Sequence, residues 1–385
     1  MTQDSSNRQS SNRHSGIQRI SRLTPLRAIL ALIESRVAAV KARKCATASA
    51  AGLTLADDLI TAARPTSAIA LSDGFAVEAA AVADAGPYAP AQLAHLPQWV
   101  DAGQPMPSGS DAVAPLDAIT QRGERVEAIA AVVTGQGVLP AGGDAPAQTL
   151  LRRAGERLRD IDCAVAAAVG FAELSVREPR IWLARSRAAT PPLVEAGLAM
   201  LARCVGKSGA AIHGELTDLH EALARDEADA VIAIGGTGGG RDDDSVQTLA
   251  RLGRVEAHGI AISPGETAAF GFAGERPILL VPGRLDAVLA AWLLIGRHLV
   301  AKLAGGSIAD TTALMPALTP LKRKVTSTIG MTELVPVRCE GGMAEPLGSS
   351  YLSLTALARS HGWIAVPDDS EGFPAGAQVA VQPWP

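Results

Sequence analysis

The sequence predicts a multidomain α/β protein, and three observations predict it. Short aliphatic runs alternate with amphipathic helical stretches between residues 180 and 303. Segments of short apolar runs broken by Gly and Pro lie on both sides of that alternation. A chain of 385 residues, 48% of them hydrophobic, exceeds one core and divides into about two to four domains. Aromatic residues are only 3%, so Ala, Val, Leu and Ile do the packing, and stacking-based binding of single-stranded nucleic acid is disfavoured. A formal charge of −4 gives no basic field, which argues against nucleic acid as a partner.

In chain order, residues 1–23 are rich in Ser, Arg and Asn, with one acid (Asp4) and no apolar signal core, so they read as a disordered tail. Thr24-Pro25 reads as an N-cap followed by proline at the first helical position. Leu26, Ile29, Leu30, Ile33, Val37 and Val40 then recur at helical spacing. Residues 51–145 form a small β-rich region whose clearest strand is Val126 to Val133. Ile161 to Val169 is an Ala-rich helix stopped by Gly170. Arg180 to Ala184 opens the β/α alternation. It continues through a helix from Pro192 to Cys204, a strand near Ala210 to His213 and a helix over Asp218 to Arg225. Strand 231–234, a helix after Ser245, strand Ile278 to Val281 and a helix from Asp286 to Leu303 complete it. Such alternation means a parallel sheet covered on both faces. From Leu318 onward, Val335 to Arg338, Ile364 to Val366 and Val379 to Val381 read as strands of a terminal β domain.

The most apolar C-terminal run, Ala287 to Gly296, is too short to span a membrane. Cys45, Cys163, Cys204 and Cys339 form no C-x-x-C pair, which fits inert core residues in a reduced cytoplasm. His213 and His258 have no second ligand at metal spacing.

The most informative stretch is Ala230-Val-Ile-Ala-Ile-Gly-Gly-Thr-Gly-Gly-Gly-Arg-Asp-Asp-Asp244. A buried strand breaks into Gly235, Gly236, Thr237, Gly238, Gly239 and Gly240, then meets Arg241 and three carboxylates where a helix starts. Glycine-loop N–H groups and a helix N-terminus favour an anion, whereas Asp242, Asp243 and Asp244 would repel one. A divalent cation between anion and carboxylates resolves the conflict. The plain alternative is a flexible glycine turn with a solvated acidic cap. Gly235-x4-Gly240 has Walker spacing, but Arg241-Asp242 stands where Lys-Ser/Thr is required, and no G-x-G-x-x-G is present. Two further loops, 263–265 and 282–284, are expected beside it at the carboxyl ends of the strands, where open α/β sheets bind ligands.

These residues resemble the molybdopterin molybdenumtransferases, the molybdenum-insertion enzymes of molybdenum cofactor biosynthesis that include the gephyrin E domain. Leu71-Ser-Asp-Gly-Phe-Ala-Val77 is similar to the family's S-x-M-D-G-[YF]-A-[VI], and Ala102 to Val113 to its T-G-A-x-[VM]-P-x-G-x-[DE]-A-V. The glycine loop resembles G-G-x-S-x-G-x-x-D, with Asp243 on the acid. Ile262 to Gly271 resembles I-K-P-G-K-P-x-x-F-G, and Val281-Pro-Gly-Arg-Leu285 the start of L-P-G-N-P-V-S. Leu347 to Ser353 and Gly362 to Pro367 resemble the last β domain. The likeness runs from about residue 24 to the C-terminus.

The resemblance implies a split helical linker domain (24–50 plus 146–178), an inserted β domain (51–145), a three-layer α/β molybdopterin-binding domain (179–315) and a C-terminal β-barrel-like domain (316–385). It also implies an elongated homodimer, with other cofactor-biosynthesis or acceptor proteins as further partners. The implied reaction takes adenylated molybdopterin and molybdate, with Mg2+ assisting, inserts molybdenum and releases AMP. Asp73 and Asp243 then become catalytic candidates, with Asp242, Asp243 and Asp244 as metal ligands. Gly235, Gly236, Thr237, Gly238, Gly240, Arg241, Ser263, Pro264, Gly265, Pro282, Gly283 and Arg284 become binding candidates. Without the resemblance, Asp73 reads as a plain Asp-Gly turn.

Departures from the pattern are specific. Both lysines of K-P-G-K-P are replaced, by Ser263 and Glu266, a local change of three charge units. The family's S-T-G-D-E-L reads Ala184-Arg-Ser-Arg-Ala-Ala189, so its carboxylates are gone. Arg185, Arg187, Arg241 and Arg284 either replace the lysines as phosphate holders or are ordinary surface charges. A degenerate paralogue that carries the pterin without turnover is the second reading.

Overall fold

The computed structural model describes residues 18–186, 192–214, 216–306 and 318–385. Two compact units emerge from it. One holds the chain through Ala56, Ala154–Asp160 and Leu174–Pro385; the other holds Asp57–Arg153 and Ile161–Glu173.

The first unit is built on a seven-stranded sheet. Its strands are β1 (Arg180–Arg185), β2 (Ala211–Ile212), β3 (Thr217–Asp218), β4 (Ala230–Ile234), β5 (Arg254–His258), β6 (Ala269–Ala273) and β7 (Arg276–Val281). The order is β2-β1-β4-β7-β6-β5, with β3 also paired to β1. Pairs among β1, β2, β3, β4 and β7 are parallel. The remaining two strands correct the all-parallel expectation, since β6 is antiparallel to β7 and β5 to β6. Only Gly274 and Glu275 separate Ala273 from Arg276, and a two-residue loop cannot carry a parallel crossover.

Alternate residues of each central strand face opposite layers. Ile181, Leu183, Ile232, Ile234, Leu279 and Val281 pack in one core with helices α1 (Leu26–Arg36) and α2 (Pro192–Lys207). Trp182, Ala184, Val231, Ala233, Ile278 and Leu280 pack in the other, against α3 (Leu219–Ala224) and α4 (Ser245–Leu252). That is the three-layer α/β arrangement. Helix α5 (Leu285–Ala291) joins the first core and continues through a π-helical turn, Trp292–Gly296, into α6 (Arg297–Leu303).

Helix α1 begins one residue later than expected. Pro25 is its N-cap, and the Thr24 N–H donates instead to Gly259 O at 2.8 Å. The helix ends at Arg36, so Val37 and Val40 lie beyond it; Val37 is still in the core. The C-terminal part is β-rich, as expected. Thr332–Glu340 pairs with Gly362–Val366 and Met343–Pro346. Ile262–Ser263 runs parallel to Thr332 in this same sheet, so the 263–265 loop leaves a strand of the C-terminal sheet and not one of the α/β sheet.

The second unit is also β-rich, with Gly74–Val77 between Trp99–Val100 and Ala112–Ala114. The strand expected over Val126 to Val133 is confined to Arg125–Ala128, and Val133 is exposed. The helix expected from Ile161 is present as Asp160–Ala168.

Candidate active site

Strand β4 delivers the glycine loop to the carboxyl end of the sheet. Gly235 and Gly236 turn there with φ of +92° and +69°, a region L side chains rarely adopt. A Cβ on Gly236 would lie 2.5 Å from both Ser186 Oγ and Ser245 Oγ. The backbone therefore threads between the end of β1 and the start of α4. Ser245, fully buried, fixes it there: its Oγ donates to Gly235 O at 2.8 Å and its N–H to Gly236 O at 3.0 Å.

The acidic run divides. Asp243 caps its own loop, Oδ2 accepting from Gly240 N–H at 2.8 Å. Asp242 is exposed. Asp244 is the N-cap residue of α4 without a side-chain cap bond, and accepts from Ser186 Oγ at 3.5 Å. Among the described residues no three His, Cys, Asp or Glu side chains gather as a metal cage. Magnesium takes one or two carboxylates and completes its shell with substrate phosphates and water. Asp243 suits that chemistry only with substrate present.

Residues 18–23 correct the expectation of a disordered tail. Gln18 is buried, and its carboxamide bridges the glycine loop to the helix behind it. Nε2 donates to Gly236 O and Gly238 O, both at 3.0 Å. Oε1 accepts from Val246 N–H at 3.0 Å and Gln247 N–H at 3.2 Å. Those two N–H groups are first-turn donors with no partner inside the helix. One amide thus satisfies four backbone groups, which a polar composition alone does not announce. Residues 1–17 lie outside the described chain.

The other two loops close around this one. Thr267 Oγ1 meets Thr237 Oγ1 at 3.1 Å, which brings the Ser263-Pro264-Gly265 segment against the glycine loop. His258 Nε2 lies 2.9 Å from Thr237 O. That carbonyl can only accept, so Nε2 carries the proton. His258, which has no second ligand at metal spacing, pins the loop instead. Glu266, in the position of a family lysine, accepts from Gly265 N–H at 3.1 Å. On the third loop, a Cβ on Gly283 would stand 3.8 Å from Gly235 Cα, so Pro282-Gly283 passes directly beside the glycine turn.

Arg284 is committed. Its Nη2 meets Asp286 Oδ2 at 2.5 Å and its Nε meets Oδ1 at 3.1 Å, while its guanidinium lies 4.9 Å from the Tyr351 ring. The Asp286 bond, with further help from the charges of Asp286 and Glu266, holds this guanidinium above the usual arginine range. Asp286 is 3% exposed and also accepts from Leu352 N–H at 3.0 Å, tying the 347–353 segment to the loop. Arg185 pairs with Glu195 at 3.1 Å. Arg241 is exposed with no ion pair among the described residues, and Arg187 lies outside them.

Asp73 belongs to the second unit. Its Oδ1 accepts from Ala102 N–H at 2.8 Å, which ties the Asp-Gly-Phe segment to the Ala102-Gly103-Gln104-Pro105 turn. Next to it, a Cβ on Gly74 would come within 2.3 Å of Ala114 O, so strand pairing itself requires glycine there.

A fold of this kind, with three glycine-bearing loops gathered at one end of the α/β sheet, is that of a small-molecule-binding multidomain α/β protein. Three family models match it in sequence: the MoeA N-terminal region (domains I and II) over residues 24–170, the model described as a probable molybdopterin binding domain over 192–302, and the MoeA C-terminal region (domain IV) over 319–384. The chain belongs to the molybdopterin molybdenumtransferase (MoeA) family and to molybdenum cofactor biosynthesis. The structure of the Pyrococcus horikoshii molybdopterin biosynthesis protein MoeA superposes with a TM-score of 0.76 at 22% identity, covering 94% of this chain and 100% of that one. A molybdenum cofactor biosynthesis protein of Pyrococcus furiosus gives 0.57 at 19% identity, covering 94% and 100%. In sequence, a Methanocaldococcus jannaschii protein whose given name assigns it to molybdopterin biosynthesis is 30% identical over 162 residues. That match spans 41% of this chain and 37% of the relative.

Proposed function

We propose that this protein inserts molybdenum from molybdate into adenylated molybdopterin and releases AMP. The observation that carries the reading is the convergence of three loops, through Thr237–Thr267 and Gly235–Gly283, on one end of the family's molybdopterin-binding domain. Backbone N–H groups of the 235–240 loop hold the substrate's phosphates, and exposed Arg241 supplies the positive charge that Ser263 and Glu266 no longer provide. Magnesium, when bound, offsets phosphate charge between Asp243 and the substrate. Asp73 acts from the β-rich unit, within the homodimer that the family resemblance implies.

A second reading, a pterin carrier without turnover, is favoured by specific contacts. Gln18 occupies the α4 amides, Asp243 is spent on Gly240, Glu266 stands in a lysine position, and Arg284 is neutralised by Asp286. AMP release from adenylated molybdopterin, with molybdate and magnesium, separates the two readings. Molybdate-dependent release that falls by about a hundredfold or more in Asp243→Ala is expected. Tight pterin binding with no AMP from the wild-type protein would sink the enzyme and leave the carrier. Mixed dimers of Asp73→Asn and Asp243→Ala chains recover part of the activity if one subunit's Asp73 serves its partner's loops.

A further inference from the structure

The 347–353 segment of the C-terminal part presents an exposed aromatic ring, Tyr351, beside the 263–265 and 282–284 loops. Two buried carboxylates hold it there. Glu333 stands opposite Ser263 in the parallel strand pair that leads into the 263–265 loop, and its Oε1 accepts from Ser350 N–H at 2.8 Å. Asp286, at the start of α5, accepts from Leu352 N–H at 3.0 Å. Each carboxylate belongs to a residue only 3% exposed. The amides on either side of Tyr351 are thus tied to different loops, while Tyr351 itself stays 62% exposed.

A single exposed aromatic residue needs no explanation by itself. Three features set this one apart. Ser350 has φ of +60°, a left-handed conformation that persists in a residue with a side chain only where the surroundings enforce it. Arg284, locked to Asp286, lies over the Tyr351 ring with its guanidinium carbon 4.9 Å from the centroid, so a fixed cation props the ring in place. Among the described residues of the first unit, every other aromatic side chain is buried or half-buried. Two buried carboxylates and an enforced turn therefore keep one aromatic ring at the loops, outside the core.

We propose that Tyr351 is the wall on which a flat nitrogen heterocycle of the substrate stacks, the pterin or the adenine ring. This rests on the three loops being the site of that substrate. Gly283 neighbours both Arg284 and the Gly235 turn, which sets the wall beside the phosphate-holding loop. A ligand with phosphate at one end and a flat ring at the other matches that arrangement. Offset contact of π-faces supplies the attraction, and a ring already held in place loses little freedom on binding. Arg284 then serves as the prop of Tyr351 and not as a phosphate holder.

Equilibrium binding to the full chain tests the wall with three probes: hydroxymethylpterin phosphate, AMP and inorganic pyrophosphate. At least one ring-bearing probe is expected to bind Tyr351→Ala about tenfold more weakly, and Tyr351→Phe within about twofold of wild type. Pyrophosphate, which has no ring, should bind all three proteins alike. A loss confined to the pterin probe assigns the wall to the pterin, and one confined to AMP assigns it to adenine; either keeps the proposal. An equal loss for pyrophosphate overturns it, because Tyr351 would then act only by shaping the loops. Ring-bearing probes that bind Tyr351→Ala as tightly as wild type also overturn it; if they bind Arg241→Gln more weakly, the loops keep their ligand and only the wall is lost. A folded wild type that binds none of the probes overturns the wall together with the reading it rests on.

Discussion

The two ends of the α/β sheet treat their polar groups differently. At the carboxyl end several polar groups of the glycine loop and of the helix behind it are met from within the chain: Gln18 takes the α4 amides, Asp243 takes Gly240, and His258 takes Thr237. At the amino end Arg297 Nε donates to Leu293 O at 3.2 Å, whereas the Trp292 indole N–H is buried without a hydrogen-bond partner. Glycine-rich sequence announces backbone freedom, and freedom is available to the protein's own side chains before any ligand arrives. An unmet buried donor is the stronger sign of a missing partner.

The largest expected break in this contrast comes from Asp286, which satisfies Arg284, Leu352 and Ala287 together. Asp286→Ala should lose about 3 kcal/mol in denaturant unfolding, and a loss below about 1 kcal/mol would mean the third loop is held by other contacts. The next effect probes the amino end. His298, next to Arg297, is held down at about 4, against about 6.5 for a free histidine, first by burial and then by the Arg297 charge. Folding therefore favours its neutral ring. That contribution is whole above pH 6.5 and drains as pH falls toward about 4, a gap worth ~3 kcal/mol. His298→Gln should flatten the stability profile across that window, and an unchanged slope would place the acid sensitivity elsewhere. Third, Gly236→Ala should cost about 2 kcal/mol, because its φ and the two serine oxygens both oppose a Cβ. Smallest is Gln18→Ala, at about 1 kcal/mol with faster amide exchange at Val246 and Gln247; unchanged exchange would show that water replaces the carboxamide at no cost.

Much of the sheet was legible because its strands carry two apolar faces, as in Val231 to Ile234 and Ile278 to Val281. Strands β5 and β6 were harder to read. Arg254 to His258 alternates weakly, and Gly271 in β6 is glycine because a Cβ there would strike Arg254 O at 2.2 Å. The three loops were legible as glycine-bearing turns, and two of them do follow strands of this sheet. What holds them was not. Gln18 lies 218 residues from Gly236, and His258 lies 21 from Thr237. No local pattern encodes such pairings. Arg284 and Asp286 are close in sequence, but only burial of the carboxylate turns that spacing into a locked pair.

The π-helical turn has a consequence for how this chain tolerates change in length. A turn of five residues carries one more than an α-helical path needs, so α5 and α6 form one continuous rod whose two halves are out of phase by about 100°. Before the turn, Val288 and Ala291 are buried; after it, Leu299, Val300 and Leu303 are buried, and α6 packs beside α1. Deleting a single residue between Trp292 and Arg297 would leave every other side chain unchanged. It would also rotate α6 against the buried α5 and turn the stripe of Leu299, Val300 and Leu303 away from its core. Length, more than composition, is what this segment holds constant.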